Sequence, residues 1–328
     1  MKERKTDHLR ISVEEDIESG DGGFNLVRLR HRASPEISYD EIDTEARFLG
    51  KRLSFPLIFE AITGGTPEAG RINKALAKVA QRYGLGMGVG SQRAAIENPK
   101  LADTFRVRDV APDILLIGNL GAVQLNFGYG LKECKAAVKM IDADALALHL
   151  NPLQEAVQPE GNTDFRGIIG KVNKMAAGLG TPVIAKEVGC GLDYDTAKRL
   201  KVAAYDSGGL GGTSWSLVES FRNQSFMGEV GVLYSNWGIP TTKSVAELSA
   251  LRKPLIASGG IRTGLDGAKC IALGADVAGV ALPVLRAYYA GGEKAVDRFA
   301  ERFIAEFKTA MFLTGSKKVS HLKGKVRP

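Results

Sequence analysis

The sequence contains little cysteine and no long apolar run. Its 328 residues include only three cysteines, Cys134, Cys190 and Cys270, whose spacing fits neither a zinc site nor a disulfide framework. No stretch approaches the roughly 20 consecutive apolar residues of a membrane-spanning helix. The charged amino-terminal segment up to Asp16 also lacks the apolar core of a signal peptide. These absences predict a protein of the reducing cytoplasm that has no membrane span.

Nucleic-acid-binding motifs are missing as well, although the chain is basic. Its formal net charge is +7, and basic residues concentrate in segments 28–32 and 317–327. No helix-turn-helix, zinc finger or aromatic-basic RNA motif accompanies that charge, so we expect no nucleic-acid partner. The charge favours an anionic small molecule such as a phosphate ester. Solvated charge that maintains solubility is the alternative.

Short apolar runs recur along the chain, and most of them end in glycine, asparagine, lysine or serine. Continuous apolar runs of this length are typical of parallel strands that are buried on both faces. The predicted strands are 57–62, 85–89, 114–117, Ala145–Leu150, 182–186, 202–205, 254–257 and 277–282.

Amphipathic segments of helical length separate these runs. Pro67–Tyr83 is one example, with proline at its start and Gly84 just past its end. The other predicted helices are Leu131–Ile141, 168–179, 193–200, 245–251 and 265–273. Strands that alternate with helices in this way predict an α/β fold, a closed (β/α)8 TIM barrel, which often runs past 250 residues as one domain. We expect one domain over 1–328, with an N-terminal extension (1–50), a long lid or binding loop after the sixth strand (214–242) and a C-terminal helix (294–314).

The segments that follow the strands are polar or rich in glycine, and barrel enzymes place their active sites at that end. Two glycine-rich segments, 208–212 and 258–262, leave backbone N–H groups open to an anion. Gly259 and Gly260 lie where a short helix with its positive dipole end is expected to begin. Phosphate sites recur after strands seven and eight of barrels, so we predict one here. A tight turn that needs glycine for positive φ is the alternative.

Charged and polar side chains add to the same end. Lys186 ends the fifth strand, where it is either directed into the site, to stabilise an anionic cofactor such as a flavin, or extended to solvent. His149, Asn151, Gln154 and Glu155 follow the fourth strand. Glu155 suits Mg2+, which proteins hold by one or two carboxylates together with substrate phosphates. An ordinary polar surface loop, with His149 in a structural hydrogen bond, is the alternative.

A set of motifs spread over nearly the whole chain occurs in the same order in one enzyme family. Ser-Gly-Gly-Ile-Arg at 258–262 is shared by many phosphate-binding barrels, but His-Leu-Asn-Pro-Leu-Gln-Glu at 149–155 together with Arg-Lys-Thr-Asp-His at 4–8 is much more specific. Further matching segments are 62–65, 91–93, 186–189, 211–215 and 311–315. In these motifs the chain resembles type 2 isopentenyl-diphosphate isomerase, an FMN-dependent family.

The resemblance implies an FMN-linked barrel that reversibly isomerises isopentenyl diphosphate to dimethylallyl diphosphate in isoprenoid biosynthesis. It further implies reduced FMN as the acid/base cofactor, Mg2+, NADPH as the reductant of the flavin, and a homo-oligomer, either a tetramer or an octamer. Matched residue by residue, the FMN contacts are Ala61, Ile62, Thr63, Ser91, Asn119, Lys186, Thr213, Gly259, Gly260, Arg262, Ala281 and Leu282. The substrate-binding residues are Arg4, Lys5, Arg93, His149, Asn151 and Gln154, with Trp215 and Glu219 nearby. Glu155 is the implied Mg2+ ligand, and Gln154, Lys186 and His149 are the implied catalytic residues.

The chain departs from the family pattern at some positions, and other functions stay open. Ile62 stands where the family commonly has methionine, and Gly208 stands where serine is common. One alternative is another FMN-dependent barrel, either a 2-hydroxy-acid oxidase, which needs a histidine base after strand six, or an inosinate-dehydrogenase-like enzyme, which needs a cysteine nucleophile. Segment 208–215 contains no histidine, and the spacing of Cys190 does not fit. A non-enzymatic phosphate-binding scaffold is the second alternative.

Overall fold

A closed barrel of eight parallel strands forms the centre of the computed structural model, which describes residues 2–223 and 225–326. Arg327 of the basic C-terminal segment lies outside the described residues. The strands are Ala46–Phe48 (β1), Lys51–Leu53 (β2), Leu57–Phe59 (β3), Gly86–Gly88 (β4), Leu115–Gly121 (β5), Ala145–Leu150 (β6), Val183–Glu187 (β7), Ala204–Asp206 (β8), Leu255–Ser258 (β9) and Val277–Val280 (β10). Strands β3 to β10 succeed one another in chain order around the barrel, and β10 pairs with β3 to close it. The predicted (β/α)8 barrel is therefore confirmed.

The barrel strands coincide with the predicted apolar runs because almost every residue in them is buried. Inward-facing side chains such as Ile58, Ile184 and Ile256 form an apolar cluster with Phe48 and Leu53. The last two belong to the antiparallel β1–β2 hairpin. The hairpin thus closes one end of the barrel, and polar side chains collect at the other.

Helices follow most of the barrel strands and pack on the outside of the barrel. They are Lys2–Glu14 (α1), Pro67–Tyr83 (α2), Arg93–Glu97 (α3), Leu131–Ile141 (α4), Pro152–Val157 (α5), Ile168–Gly178 (α6), Tyr194–Ala197 (α7), Trp215–Arg222 (α8), Phe226–Leu233 (α9), Thr241–Ser249 (α10), Gly264–Leu273 (α11) and Leu282–Leu313 (α12). Helix α2 has the predicted ends: the Thr66 hydroxyl accepts a hydrogen bond from the Ala69 N–H at 3.1 Å, and Gly84 ends the helix at a φ of 60°. Within the described ranges, none of the helices is both long and apolar enough to cross a membrane.

Two of the predicted additions to the barrel need correction. Residues 214–242 are not an irregular loop, since they contain α8, α9 and the start of α10. The C-terminal helix begins at Leu282 rather than at 294, and non-helical Gly291 and Gly292 kink it. Its first residue, Leu282, continues the apolar run of β10, and for that reason the sequence predicts it as the end of the eighth strand.

The N-terminal extension and the C-terminal helix belong to the same packed body as the barrel. Helix α1 contacts both α8 and α12, which places its side chains at the polar end of the barrel. One apolar cluster includes Leu9 of α1, the outward faces of the strands, and Leu322 near the C-terminus. We therefore propose that the chain is a single domain.

Candidate active site

A cavity opens at the C-terminal ends of the barrel strands, and side chains of α1 and α8 form part of its wall. All the site residues predicted from the sequence line it except Glu219. Those expected at the substrate and metal are Arg4, Lys5, Arg93, His149, Asn151, Gln154, Glu155 and Trp215. Those expected at the cofactor are Ala61, Ile62, Thr63, Ser91, Asn119, Lys186, Thr213, Gly259, Gly260, Arg262, Ala281 and Leu282.

Two glycine-rich loops meet in the cavity wall so closely that side chains are excluded. A Cβ on Gly259 would lie 2.1 Å from the Gly209 carbonyl oxygen, and one on Gly260 would lie 2.2 Å from that of Gly211. Both residues also have positive φ values, 108° and 66°. The following helix begins only at Gly264, so the expected short helix at the glycine pair is wrong. The pair instead forms a turn whose bare backbone borders the cavity, which suits close contact with a phosphate.

Arg262 lies beside this turn and is held by the N-terminal extension. Its Nε donates to the Glu18 carboxylate at 2.7 Å, and the other Glu18 oxygen accepts from Arg286 Nη1 at 3.1 Å. The chain around Glu18 also pairs with Thr213 in an antiparallel bridge. One carboxylate between two guanidinium groups leaves an excess of positive charge near the glycine turn.

Lys186 is directed into the barrel and not to solvent. Its Nζ lies 3.0 Å from Asp206 Oδ2 and 3.8 Å from Glu60 Oε2, and it donates to the Glu187 carbonyl at 2.9 Å. Burial alone would lower the pKa of Lys186, but the charges of Asp206 and Glu60 reverse that effect and hold the pKa above its ordinary value. Lys186 is therefore a fixed cation in the cavity wall.

His149 is neutral in this cavity. Burial, followed by the positive charges of Lys186 and Lys5, lowers the pKa of His149 to about 3. Its Nδ1 lies 2.8 Å from Asn119 Oδ1, so a proton on Nδ1 donates to that oxygen. Nε2 is then left as an acceptor unless an anion in the cavity draws a second proton to the ring.

The polar stretch after β6 holds Glu155 in a position that fits one Mg2+ ligand. Glu155 is only 7% exposed and accepts hydrogen bonds from Asn151 Nδ2 at 3.1 Å, Gln158 Nε2 at 2.7 Å and the Asn162 N–H at 2.6 Å. A carboxylate offers about four lone-pair sites, so one stays free for a metal. No cluster of three acidic, histidine or cysteine side chains that could hold a metal ion occurs in the described ranges. Such a site fits a cation whose other ligands are phosphate oxygens and water.

Arg4 and Lys5 are adjacent cations, close enough for the charge of Arg4 to act on Lys5. Within the described residues, the buried Arg4 Nε has no hydrogen-bond partner. Burial, with the nearby charge of Arg4, lowers the pKa of Lys5 to about 8. Both side chains line the cavity, so an anion bound there would relieve the repulsion between them.

Glu219 lies behind the cavity wall instead of in it, which corrects the sequence interpretation. Its side chain is fully buried, and its Oε1 accepts from Gln154 Nε2 at 3.1 Å and lies 2.9 Å from His8 Nε2. Burial alone would raise the pKa of Glu219, but the contact with His8 and the charge of Arg222 hold it to about 2. Glu219 thus fixes two side chains that do line the cavity. One of them, His8, packs edge-on against Trp215 at 5.3 Å between ring centroids.

Several residues of the site were not selected from the sequence. Glu60 follows β3 directly and lines the cavity. The predicted first strand extends to Ile62, so Glu60 falls inside it and is not recognised as a polar residue at a strand end, as Lys186 is. Asp206 likewise ends β8. No sequence signal pointed to Glu18 or to the placement of His8, because their partners lie more than 200 positions away along the chain.

The cavity fits FMN in its composition. A glycine turn next to Arg262 offers bare N–H groups and positive charge to a phosphate, and the fixed ammonium of Lys186 offers a partner for an anionic ring. The chain also matches the family model for FMN-dependent dehydrogenase over residues 239–327.

Solved structures share this architecture. The lactate oxidase of Pediococcus acidilactici aligns over 96% of this chain and 84% of its own, with a TM-score of 0.66 and 18% identity. A flavocytochrome b2 variant with bound pyruvate aligns over 97% and 82%, with a TM-score of 0.71 and 14% identity. At these identities the likeness concerns the fold alone.

Curated sequences are far more similar. An isopentenyl-diphosphate delta-isomerase of Nostoc sp. is 49% identical over 98% of this chain and 93% of its own length. One of Ignicoccus hospitalis is 48% identical over 98% and 92%. These relatives are similar over nearly their full length, and the C-terminal part of the chain matches the FMN-dependent dehydrogenase model. The chain therefore belongs to the type 2, FMN-dependent family of isopentenyl-diphosphate delta-isomerases.

Proposed function

We propose that this chain interconverts isopentenyl diphosphate and dimethylallyl diphosphate in isoprenoid biosynthesis, with bound FMN and Mg2+. The observation that carries the proposal is that one cavity contains two separate sets of anion-binding groups. The glycine turn with Arg262 is one set, and Arg4 with Lys5 is the other. Two sets suit a cofactor phosphate and a substrate diphosphate that are bound together.

The substrate diphosphate binds to the second set. Arg4 and Arg93 supply forked guanidinium donors, and Lys5 supplies a compact charge. His149 and Asn151 add polar contacts after β6. When the diphosphate binds, its charge raises the pKa of His149 and favours a proton on Nε2, which turns that nitrogen into a donor.

Glu155 would hold Mg2+ beside the diphosphate. A carboxylate beside a diphosphate is repulsive without a cation between them, and Glu155 lines the cavity with one lone-pair site that its three hydrogen bonds leave unused. The amide of Asn151 keeps the carboxylate in place.

Proton transfer takes place between the substrate and the cofactor side of the cavity. Bound FMN in its reduced form would supply an electron-rich ring capable of proton exchange with an alkene carbon. Lys186 stabilises negative charge on that ring. Glu219 and Asn151 hold the Gln154 amide at the cavity wall, where it contacts the reacting carbon chain. Trp215 excludes water from that part of the cavity.

The proposal also covers the reductant of the flavin, the oligomeric state and the cellular location. NADPH is the reductant by resemblance to the family. A homo-oligomer is supported by exposed apolar side chains on and near α9, namely Phe226, Val232, Leu233 and Trp237. The unpaired state of the three cysteines is compatible with a cytoplasmic location.

The test is to identify the cofactor and the reaction in one preparation. Heat-released cofactor should run as FMN in chromatography, and the reduced holoenzyme should convert isopentenyl diphosphate to dimethylallyl diphosphate in the presence of Mg2+. Recovery of FAD, or oxidation of a 2-hydroxy acid in place of isomerisation, would overturn the proposal. The oxidase alternative is disfavoured because segment 208–215, after the sixth barrel strand, contains no histidine.

A further inference from the structure

A buried carboxylate at the floor of the cavity has no assigned task. Glu60 directly follows β3, is 8% exposed and lines the cavity. Its Oε1 is buried without a hydrogen-bond partner within the described ranges. Its Oε2 lies 3.8 Å from Lys186 Nζ and 3.4 Å from the Ala61 N–H. An incompletely paired buried carboxylate is costly when ionised, so its proton occupancy responds to nearby charge.

Glu60 shares a single ammonium with a second carboxylate, Asp206. The Asp206 side chain is closer to Lys186, at 3.0 Å, and also accepts hydrogen bonds from the Ser258 hydroxyl and the Gly208 N–H. Asp206 is therefore the better compensated of the two carboxylates, although its Oδ2, like Glu60 Oε1, is buried without a hydrogen-bond partner within the described ranges. Two ionised carboxylates would cancel the positive charge that Lys186 offers to the cavity.

The other strands packed against Glu60 bring little further charge. The neighbouring position on β10 is Gly279, where a Cβ would lie 2.6 Å from Glu60 Oε1. The Glu187 carboxylate, on β7, is directed to the backbone N–H groups of its own loop, such as that of Gly189 at 2.7 Å. His149 on β6 is neutral. Burial, followed by the charge of Asp206 and opposed by Lys186, raises the pKa of Glu60 to about 7.

We propose that Glu60 takes up a proton from solvent when the flavin bound in this cavity is reduced, and so keeps the charge of Lys186 available to the reduced ring. The inference rests on the proposed FMN cofactor. A dithionite or NADPH reductant delivers two electrons, the ring takes one proton and gains one negative charge, and the Glu60 carboxylate takes a second proton to become a neutral acid. Glu60 is in this sense a tuning residue, because it sets the charge near the ring without reacting itself.

The test is the pH dependence of the midpoint potential of bound FMN between pH 7 and 9, measured anaerobically. Each proton taken up with two electrons changes the potential by about 30 mV per pH unit, since that is a tenfold change in the equilibrium constant. We expect two protons, about 60 mV per pH unit, for the unmodified holoenzyme, and one proton, about 30 mV per pH unit, for Glu60→Gln. The potentials of the two proteins should converge below pH 7, where Glu60 is neutral, and diverge above it.

Two controls test whether the second proton depends on an acid at position 60. Glu41→Gln, which alters an exposed carboxylate paired with Lys317, should keep the two-proton slope. Glu60→Asp, which retains an acid at the position, should keep it as well and serves if the glutamine variant does not fold. Equal slopes in the unmodified protein and Glu60→Gln would overturn the inference while leaving the proposed function intact. An unmodified protein that binds no FMN would overturn both.

Discussion

Glu18 and Arg262 are separated by 244 positions in the chain, yet the Arg262 Nε donates to the Glu18 carboxylate at 2.7 Å. The contact connects the N-terminal extension with the glycine turn after β9. Because Arg286 reaches the other Glu18 oxygen, the guanidinium of Arg262 is oriented before any phosphate arrives. Preorganised donors of this kind bind without the entropy cost of ordering a long side chain.

Because Arg262 is oriented in advance, replacing its forked guanidinium group should lower the affinity for FMN. Arg262→Lys should weaken FMN binding about tenfold, or about 1.4 kcal/mol, because the single ammonium nitrogen of lysine cannot span Glu18 and a phosphate as the planar guanidinium fork can. Fluorescence titration of the apoprotein with FMN measures the change. Arg286→Lys is the matched control, since Arg286 contacts Glu18 but does not line the cavity, and should change the affinity much less. Equal losses in both variants would contradict a direct phosphate contact by Arg262.

The lowered pKa of Lys5 predicts a pH dependence of diphosphate binding. Below its pKa of about 8 Lys5 is charged and attracts the anion, whereas above it Lys5 is neutral in the free protein and must regain a proton on binding. Affinity for inorganic pyrophosphate should therefore fall as the pH rises from 7 to 9. Calorimetry on Lys5→Gln controls for ionisation of the ligand itself. That variant should bind more weakly at pH 7 and lose less affinity by pH 9, and parallel profiles would contradict the assignment.

Glu155→Gln should weaken Mg2+ activation by about tenfold or more, because the neutral amide gives up the negatively charged oxygen that a hard cation prefers. The visible spectrum should show that FMN stays bound, since Glu155 lies in the expected substrate set. Glu160→Gln offers a control on the same segment, with a carboxylate that pairs with Arg222 instead. Unaltered Mg2+ dependence in Glu155→Gln would remove the residue from the metal site.

Gly208, where the family commonly has serine, is required by the backbone of this chain. Its φ is 47°, and a Cβ would lie 2.1 Å from the Glu187 carbonyl oxygen. Gly208→Ser should therefore lower the free energy of unfolding by about 3 kcal/mol or more, from left-handed strain plus overpacking. Gly180→Ser, at a φ of 76° with no atoms near the added Cβ, should cost only about 1–2 kcal/mol. Urea unfolding at a fixed FMN concentration distinguishes the two, and equal costs would contradict the clash.

The barrel was predictable because its strands are buried on both faces and so leave continuous apolar runs. Ala145–Leu150 has the predicted bounds, and the polar residues after it line the cavity as expected. The position of Arg4 and Lys5 over the barrel followed only from the family resemblance, since a basic amino terminus alone also fits a disordered tail.

What could not be predicted depends on contacts between distant segments. Glu219 carries a carboxylate suited to a binding site, but its contacts with His8 and Gln154 hold the side chain behind the cavity wall. Helix α9 is hard to recognise in the sequence because Gly228 and Gly231 interrupt its apolar pattern, and α8 is only eight residues long. Glu60 is not recognisable as a site residue in the sequence because it lies inside the apolar run 57–62 that predicts the first barrel strand.

In the proposed reaction the flavin acts without net oxidation or reduction of the substrate, since the two diphosphates are isomers. The most direct measurement is to reduce the FMN-loaded protein anaerobically with one equivalent of dithionite or NADPH per flavin, add isopentenyl diphosphate and Mg2+, and count product per flavin. We predict negligible activity with oxidised FMN, and many product molecules per reduced flavin with no further consumption of reductant. One NADPH consumed per product formed would contradict the account and identify an oxidoreductase.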